Sequence, residues 1–271
     1  MGMVLFPHEK RDFLTGRRGT MRISAKRASR IMDFICILFL MLPLTAFGAE
    51  KVVVIPLFDG DCASGTCKPL KNIVTVAKAG GMFTDPVAAM HSITDANETN
   101  PYLVVIGPGV YTVTAQLTMK EWVDIAGSGE NVTKIKGAIS TVSIPTSAIV
   151  SGSNNAALSS LTVENTGGSN YSVASFNSAS PRLANVTFIA SGGAGGNFGI
   201  YNYSSAPVIT DVAAIASGPG PNFGVLNYSS SSVMTRITAR ASGGSENYGV
   251  FINPANRHMN FVTRHRRPCD A

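Results

Sequence analysis

Any chemistry in this chain must come from few side chains. Between Ala138 and Asn256 the carboxylates are Glu164, Asp211 and Glu246. Acid/base or nucleophilic catalysis on an ester or glycoside needs two carboxylates in one groove, and a hard cation needs several oxygens converging on one point. Counted from the first residue of the repeat unit in which each falls, the three acids lie at offsets +6, +2 and +12. Unlike offsets in a repeating fold do not share a column, so no catalytic, cofactor-binding or metal-ligating residue is assigned. Asp124 is the one earlier acid expected on a strand of the array, with no partner near its column. His91 reads as a surface or packing residue, and His258 and His265 are too loosely placed to argue for a metal.

Binding chemistry has more to draw on. Tyr201, Tyr203, Tyr228 and Phe251 fall on the outer face of their strands and are candidates for a strip that stacks on sugar rings; packing over turns is the other reading. Asn202 and Asn227 stand 25 residues apart at equivalent turns. Inward amides at that spacing can hydrogen-bond as a structural ladder, with ligand binding as the alternative. Asp211 and Arg236 share offset +2 in successive units and should face each other. Cys62 and Cys67 bracket a short loop that can close as a disulfide outside the cytoplasm; a metal site is the rival reading, with no histidine nearby to support it. Cys36 lies in the leader and Cys269 is left over.

The element that must position these residues is a sequence repeat. Leu158-Ser-Ser-Leu161 returns as Leu183-Ala-Asn-Val186, Ile209-Thr-Asp-Val212 and Met234-Thr-Arg-Ile237. Asn197-Phe-Gly, Asn222-Phe-Gly and Asn247-Tyr-Gly keep a strict spacing of 25. A period of this size means a solenoid, whose units bury their apolar faces only against one another. Within each unit the apolar positions alternate: Val186, Phe188, Ala190; then Val212, Ala214, Ala216. Period 2 means strand. Gly192-Gly193, Gly218-Pro-Gly220 and Gly243-Gly244 end these runs. A second run, Phe198-x-Ile200-x-Asn202, is read as alternating in the same way. A leucine-rich repeat would share the opening L-x-x-L-x-L but needs a helical second half, and here that half is Gly, Asn, Ser and aromatic. The expected fold is all-β, a parallel β-helix with a short N-terminal capping helix. Asp85 would cap that helix, Pro86 would start it, and Val87, Met90 and Ile93 follow at helical spacing.

The remaining text sets boundaries and location. Residues 1–49 read as an upstream extension followed by a signal peptide. Arg22, Lys26, Arg27 and Arg30 precede the apolar run from Ile35 to Leu44, and small residues follow near Gly48 and Ala49. Residues 50–71 form a linker holding the cysteine loop. Residues 72–256 form the β-helix, with cap and first coils over 72–137 and the repeat array over 158–254. Residues 257–271 are an irregular basic tail, expected from a truncated or frame-shifted longer chain. The leader carries eight of the 22 Lys/Arg and three of the 16 acids, leaving 14 basic against 13 acidic residues in the remainder. A near-neutral remainder offers no basic face for nucleic acid. The chain reads as an exported protein, periplasmic, cell-surface or extracellular, with no stable transmembrane span once the signal is removed.

Val105-Ile-Gly-Pro-Gly-Val-Tyr111 and Ile125-Ala-Gly-Ser-Gly-Glu-Asn-Val-Thr-Lys-Ile135 resemble the opening coils of the pectin lyase-like superfamily, the pectinesterases especially. Leu161-Thr-Val-Glu-Asn-Thr-Gly-Gly168 is similar to the pectinesterase pattern I-T-F-x-N-T-A-G. The array beyond resembles bacterial β-helix repeat proteins. The resemblance implies a right-handed parallel β-helix and a carbohydrate partner, a polysaccharide or cell-surface glycan. It does not carry the esterase site across. The family's glutamine segment falls on Tyr171-Ser-Val-Ala174, and Asn222 stands where the family has an aspartate. The sequence therefore points to a non-catalytic structural or carbohydrate-binding module, with a pectinesterase-like carbohydrate esterase as the alternative.

Overall fold

The structure is a computed structural model that describes residues 72–253. The leader, the Cys62/Cys67 loop, Cys269 and the basic tail all lie outside the described residues.

The chain winds through about six turns of a parallel β-solenoid. Its first coils comprise β1 (Asn72–Val76), α1 (Pro86–Ser92), β2 (Tyr102–Ile106), β3 (Gly109–Thr112), β4 (Leu117–Thr118), β5 (Val123–Gly127), β6 (Thr133–Gly137) and β7 (Ala148–Ser151). The regular array follows with β8 (Ala157–Asn165), β9 (Tyr171–Asn177), β10 (Arg182–Ser191), β11 (Gly196–Tyr203), β12 (Val208–Ser217), β13 (Asn222–Tyr228), β14 (Val233–Ser242) and β15 (Asn247–Asn253). One sheet runs β1-β2-β5-β8-β10-β12-β14, with β3 and β6 joined at its side; the other runs β15-β13-β11-β9-β7-β4. Every strand pairing in both is parallel. Crossovers between parallel strands of one sheet are right-handed in nearly all proteins, and the fold is a right-handed parallel β-helix. Among the described residues no helix is long and apolar enough to cross a membrane.

The 25-residue period becomes register. Leu158, Leu183, Ile209 and Met234 stand in one column, and Asn197, Asn222 and Asn247 in another. Val186, Phe188, Ala190, Val212, Ala214 and Ala216 are buried. Helix α1 begins as its sequence dictates. Asp85 accepts from Val87 N at 3.0 Å, Pro86 opens the first turn, and Val87, Ala89 and Met90 are buried against the first coils. His91 is exposed.

The L-x-x-L opening has a backbone cause. Ser160, Asn185, Asp211 and Arg236 adopt φ of 55°, 54°, 53° and 53°. Each is the third residue of its unit. A left-handed residue inside a strand breaks the alternation, so the apolar residues on both sides of it face the core. Leu158 with Leu161, and Ile209 with Val212, all join the main core.

The second run does not alternate as the sequence suggested. Ile200 and Val225 lie in the main core, but Phe198 belongs to a separate aromatic cluster on the other face of its sheet. The break falls at Gly199. A Cβ there would lie 2.6 Å from Gly224 O and 3.0 Å from Ile215 N, so the backbone of this sheet approaches that of the opposite one. Only glycine fits, and its local geometry turns Phe198 and Tyr201 to one face and Ile200 and Asn202 to the other.

Candidate functional site

Two of the three acids of the array are tied to different cations, and the third is exposed. Glu164 on β8 takes Lys134 at 2.6 Å and Lys136 at 2.9 Å from β6, and its side chain is 15% exposed. Burial pushes its carboxyl up, but the hydrogen bonds from the two lysines outweigh burial and hold it below the usual value. Asp211 is held by Arg236 across one rung through Nε and through the terminal nitrogen, the latter at 2.6 Å. The guanidinium lowers the Asp211 carboxyl. Glu246 is exposed at the turn before β15. Among the described residues no three His, Cys, Asp or Glu side chains gather as a metal site would require.

The aromatic residues form columns on the outer face of the second sheet. Phe198 stacks on Phe223 at 5.2 Å with planes 1° apart, and Phe223 stacks on Tyr248 at 5.3 Å. Beside them Phe176 meets Tyr201 edge-on at 5.5 Å, and Phe251 meets Tyr248 edge-on at 5.1 Å. Tyr201 and Phe251 are half-buried within this packing, and burial pushes the Tyr201 hydroxyl up. Tyr203 and Tyr228 stand at the strand ends, 44% and 40% exposed, and stack on each other at 5.6 Å with planes 16° apart. Register explains the columns: residues one coil apart lie about 4.8 Å apart, close to the spacing at which flat rings stack.

Two asparagine ladders run through the interior. Asn177 donates to Asn202 at 2.8 Å, and Asn202 donates to Asn227 at 2.7 Å. The second ladder uses the repeat's own marker. Asn197 donates to Asn222 at 2.9 Å, Asn222 donates to Asn247 at 3.0 Å, and Asn197 also accepts from Gly193 N at 2.7 Å. Asn177, Asn197, Asn202 and Asn222 are fully buried, where an unpaired amide would be costly. The signal for the second ladder was the invariant Asn beside a glycine-rich turn; the sequence reading took it only as a register mark.

A cleft on the first coils was not foreseen. Pro101, Tyr102, Trp122, Asp124, Asn155, Ala156, Ser180 and Arg182 line a space of about 290 Å³. Pairing of Leu103 with Asp124, of Ile125 with Leu158 and of Ala157 with Arg182 sets Asp124, Ala157 and Arg182 in one column. The sequence offers Asp124 no second carboxylate in its column; the residue that shares the column is Arg182, two rungs away beyond the buried Ala157. Asp124 accepts from Ala157 N at 2.8 Å. Burial raises its carboxyl above the usual value, against the pull of that N–H and of the Arg182 charge. Trp122 and Asn155 hold φ of 64° and 50°. For a bulky residue such as Trp122 that conformation is strained by about 1–2 kcal/mol, and strain of this kind gathers at binding sites.

No protein-family model matches the chain, and no curated protein sequence does. Solved structures resemble it in chain path. A pectin methylesterase from Erwinia chrysanthemi is 14% identical over 59% of this chain and 55% of its own, with a TM-score of 0.41. The A-module of the Azotobacter vinelandii mannuronan C-5 epimerase is 18% identical over 62% and 49%, with a TM-score of 0.45. A Geobacillus virus E2 protein is 15% identical over 88% and 47%, with a TM-score of 0.44. The chain spans about half the length of these three structures.

Proposed function

We propose that the protein is an exported, non-catalytic β-helix that serves as a surface or extracellular module and binds polysaccharide along its aromatic face. The observation that carries this reading is the exposed ends of the ring columns, Tyr203 stacked on Tyr228 and Tyr248 stacked on Phe223, held on the buried Phe176 and Phe198. A face that combines stacked rings with phenol hydroxyls at its edge suits ligands with both C–H faces and hydroxyls, which describes sugars. Export rests on the basic, apolar and small-residue order of residues 22–49.

The second reading is a pectinesterase-like carbohydrate esterase. It is favoured by the raised carboxyl of Asp124 in a cleft beside Arg182, a combination typical of functional sites. Against it stands the separation of the other acids: Glu164 is tied to two lysines and Asp211 to an arginine.

One experiment separates the two. The full chain is passed over a panel of immobilised acidic and neutral polysaccharides, and methanol release from methyl-esterified pectin is measured alongside. Retention that falls when Tyr203 and Tyr228 are both changed to Ala, with no methanol released, supports the binding module. Methanol release abolished by Asp124→Asn would establish the esterase instead.

A further inference from the structure

We propose that Asn97 is an N-glycosylation site, whose side-chain nitrogen takes an oligosaccharide from a lipid diphosphate carrier. The proposal rests on the export reading, because this modification belongs to surface loops of secreted chains.

Sequence alone does not choose the residue. The acceptor pattern Asn-x-Ser/Thr occurs at Asn97, Asn131, Asn170, Asn185, Asn202 and Asn227. The fold removes two of these at once, since Asn202 and Asn227 are buried in their ladder. At three others the hydroxyl is committed elsewhere. Thr133 is buried and donates to Gly107 O at 3.1 Å. Ser172 is buried and donates to Asn165 O at 3.2 Å. Thr187 donates to Glu130 at 3.1 Å. Asn97 and Thr99 are both exposed, and the Thr99 hydroxyl turns back on the acceptor itself, donating to Asn97 Oδ1 at 2.8 Å.

The acceptor is also held in place. Asn97 and Asn100 close a two-residue turn, in which Asn100 N donates to Asn97 O at 2.9 Å. Asp95 braces the turn by accepting from the Tyr102 hydroxyl at 2.7 Å and from the Asn100 amide at 3.0 Å. Asn72 on β1 donates to Asn100 Oδ1 at 2.7 Å. A turn ordered before the donor arrives lowers the ordering cost of binding.

The arrangement suits the chemistry. A carboxamide nitrogen is a poor nucleophile because its lone pair is delocalised onto oxygen. Attack requires the nitrogen to lose a proton, and negative charge then develops on the oxygen. Asn97 Oδ1 already faces three donors: Thr99 Oγ1 at 2.8 Å, Thr99 N at 3.0 Å and Asn100 N at 3.1 Å. Donors aimed where charge develops stabilise the reacting form, as an oxyanion hole does. In the step itself, a bond forms from Nδ2 to the anomeric carbon of the oligosaccharide. The bond from that carbon to the lipid diphosphate breaks, and the diphosphate leaves with the electron pair. One Nδ2 proton passes to a base of the transferring enzyme. The other already donates to Asp95 O at 2.9 Å and stays on the nitrogen of the product.

The folded full chain is incubated with a lipid-diphosphate-linked oligosaccharide and a detergent-solubilised oligosaccharyltransferase, and glycopeptides are mapped by mass spectrometry. A single glycan at Asn97 is expected. Asn97→Asp keeps an oxygen for all three donors but has no nitrogen, and should abolish the glycan. Thr99→Val keeps the side-chain shape and should slow transfer at least about tenfold, the loss expected for one hydrogen bond to a charged oxygen. Transfer to Asn131, Asn170 or Asn185 as fast as to Asn97 overturns the proposal. So does a folded chain that receives no glycan, or a Thr99→Val rate equal to that of the unaltered chain. The purified reaction needs no export, which is scored by the N-terminus of the chain recovered from its host, expected near Ala49. A leader left intact overturns the export reading and the use of the site in the cell, whereas failure of the purified reaction overturns the site alone.

Discussion

Asn202 donates its side-chain amide to Asn227 across 2.7 Å, from the same register position one coil earlier. Asn202 also accepts from Asn177, so it stands in the middle of a buried three-amide ladder. Changing Asn202 to Leu takes the Asn202 acceptor from the buried Asn177 amide, while Asn227 keeps the Ser232 hydroxyl as a donor at 2.8 Å. The expected loss is about 1–3 kcal/mol of stability. Chemical denaturation measures it, and a loss under about 0.5 kcal/mol would show that water replaces the ladder at no cost.

The left-handed column makes a second test. Asn185 is exposed, yet its φ is 54°. Asn185→Gly should be close to neutral, because glycine adopts that conformation without strain. Asn185→Val should cost about 1–2 kcal/mol although the position is exposed, because a β-branched side chain is disfavoured there. Equal melting temperatures for the two variants would contradict the assigned bend.

The strand face is tested by charge. Val212 is 2% exposed between Val186 and Ile237, so Val212→Asp buries an unpaired carboxylate and should cost about 3–5 kcal/mol. Thr238 is exposed on the next strand, so Thr238→Asp should stay within about 0.5 kcal/mol of wild type. A thermal melt that finds both positions equally sensitive would reverse the faces.

Asp124 gives a pH dependence with a definite sign. Burial raises its carboxyl above the ordinary value of 3.8. A carboxyl raised in the folded state binds its proton more tightly there, so its effect is destabilising above the folded value and absent below 3.8. Asp124→Asn keeps an oxygen for Ala157 N and removes the buried charge. The variant should melt higher than wild type at pH 7, and the gap should close as pH falls toward 3.8. A variant that melts lower at pH 7, by the same margin at acid pH, would mean that the carboxylate is a net stabilising group.

A sequence fixes a solenoid through translation: residues one period apart become neighbours, so counting by 25 finds the columns. That is why the parallel β-helix, its capping helix, the Asn197 and Leu183 columns and the Asp211–Arg236 contact could be read before any coordinates. Counting fails where the period does. Pro101, Trp122, Asn155 and Ser180 are separated by 21, 33 and 25 residues, so no spacing announces that they surround one cleft. Asp124 and Arg182 come to share a column for the same reason, across coils of unequal length. Face assignment also failed at Gly199, because alternation assumes an unbroken strand and only the close approach of the opposite backbone turns it. The left-handed column was half visible, since Asn185 and Asp211 favour that conformation while Ser160 and Arg236 do not. Stacking neighbours impose it on all four, and that constraint belongs to the tertiary structure.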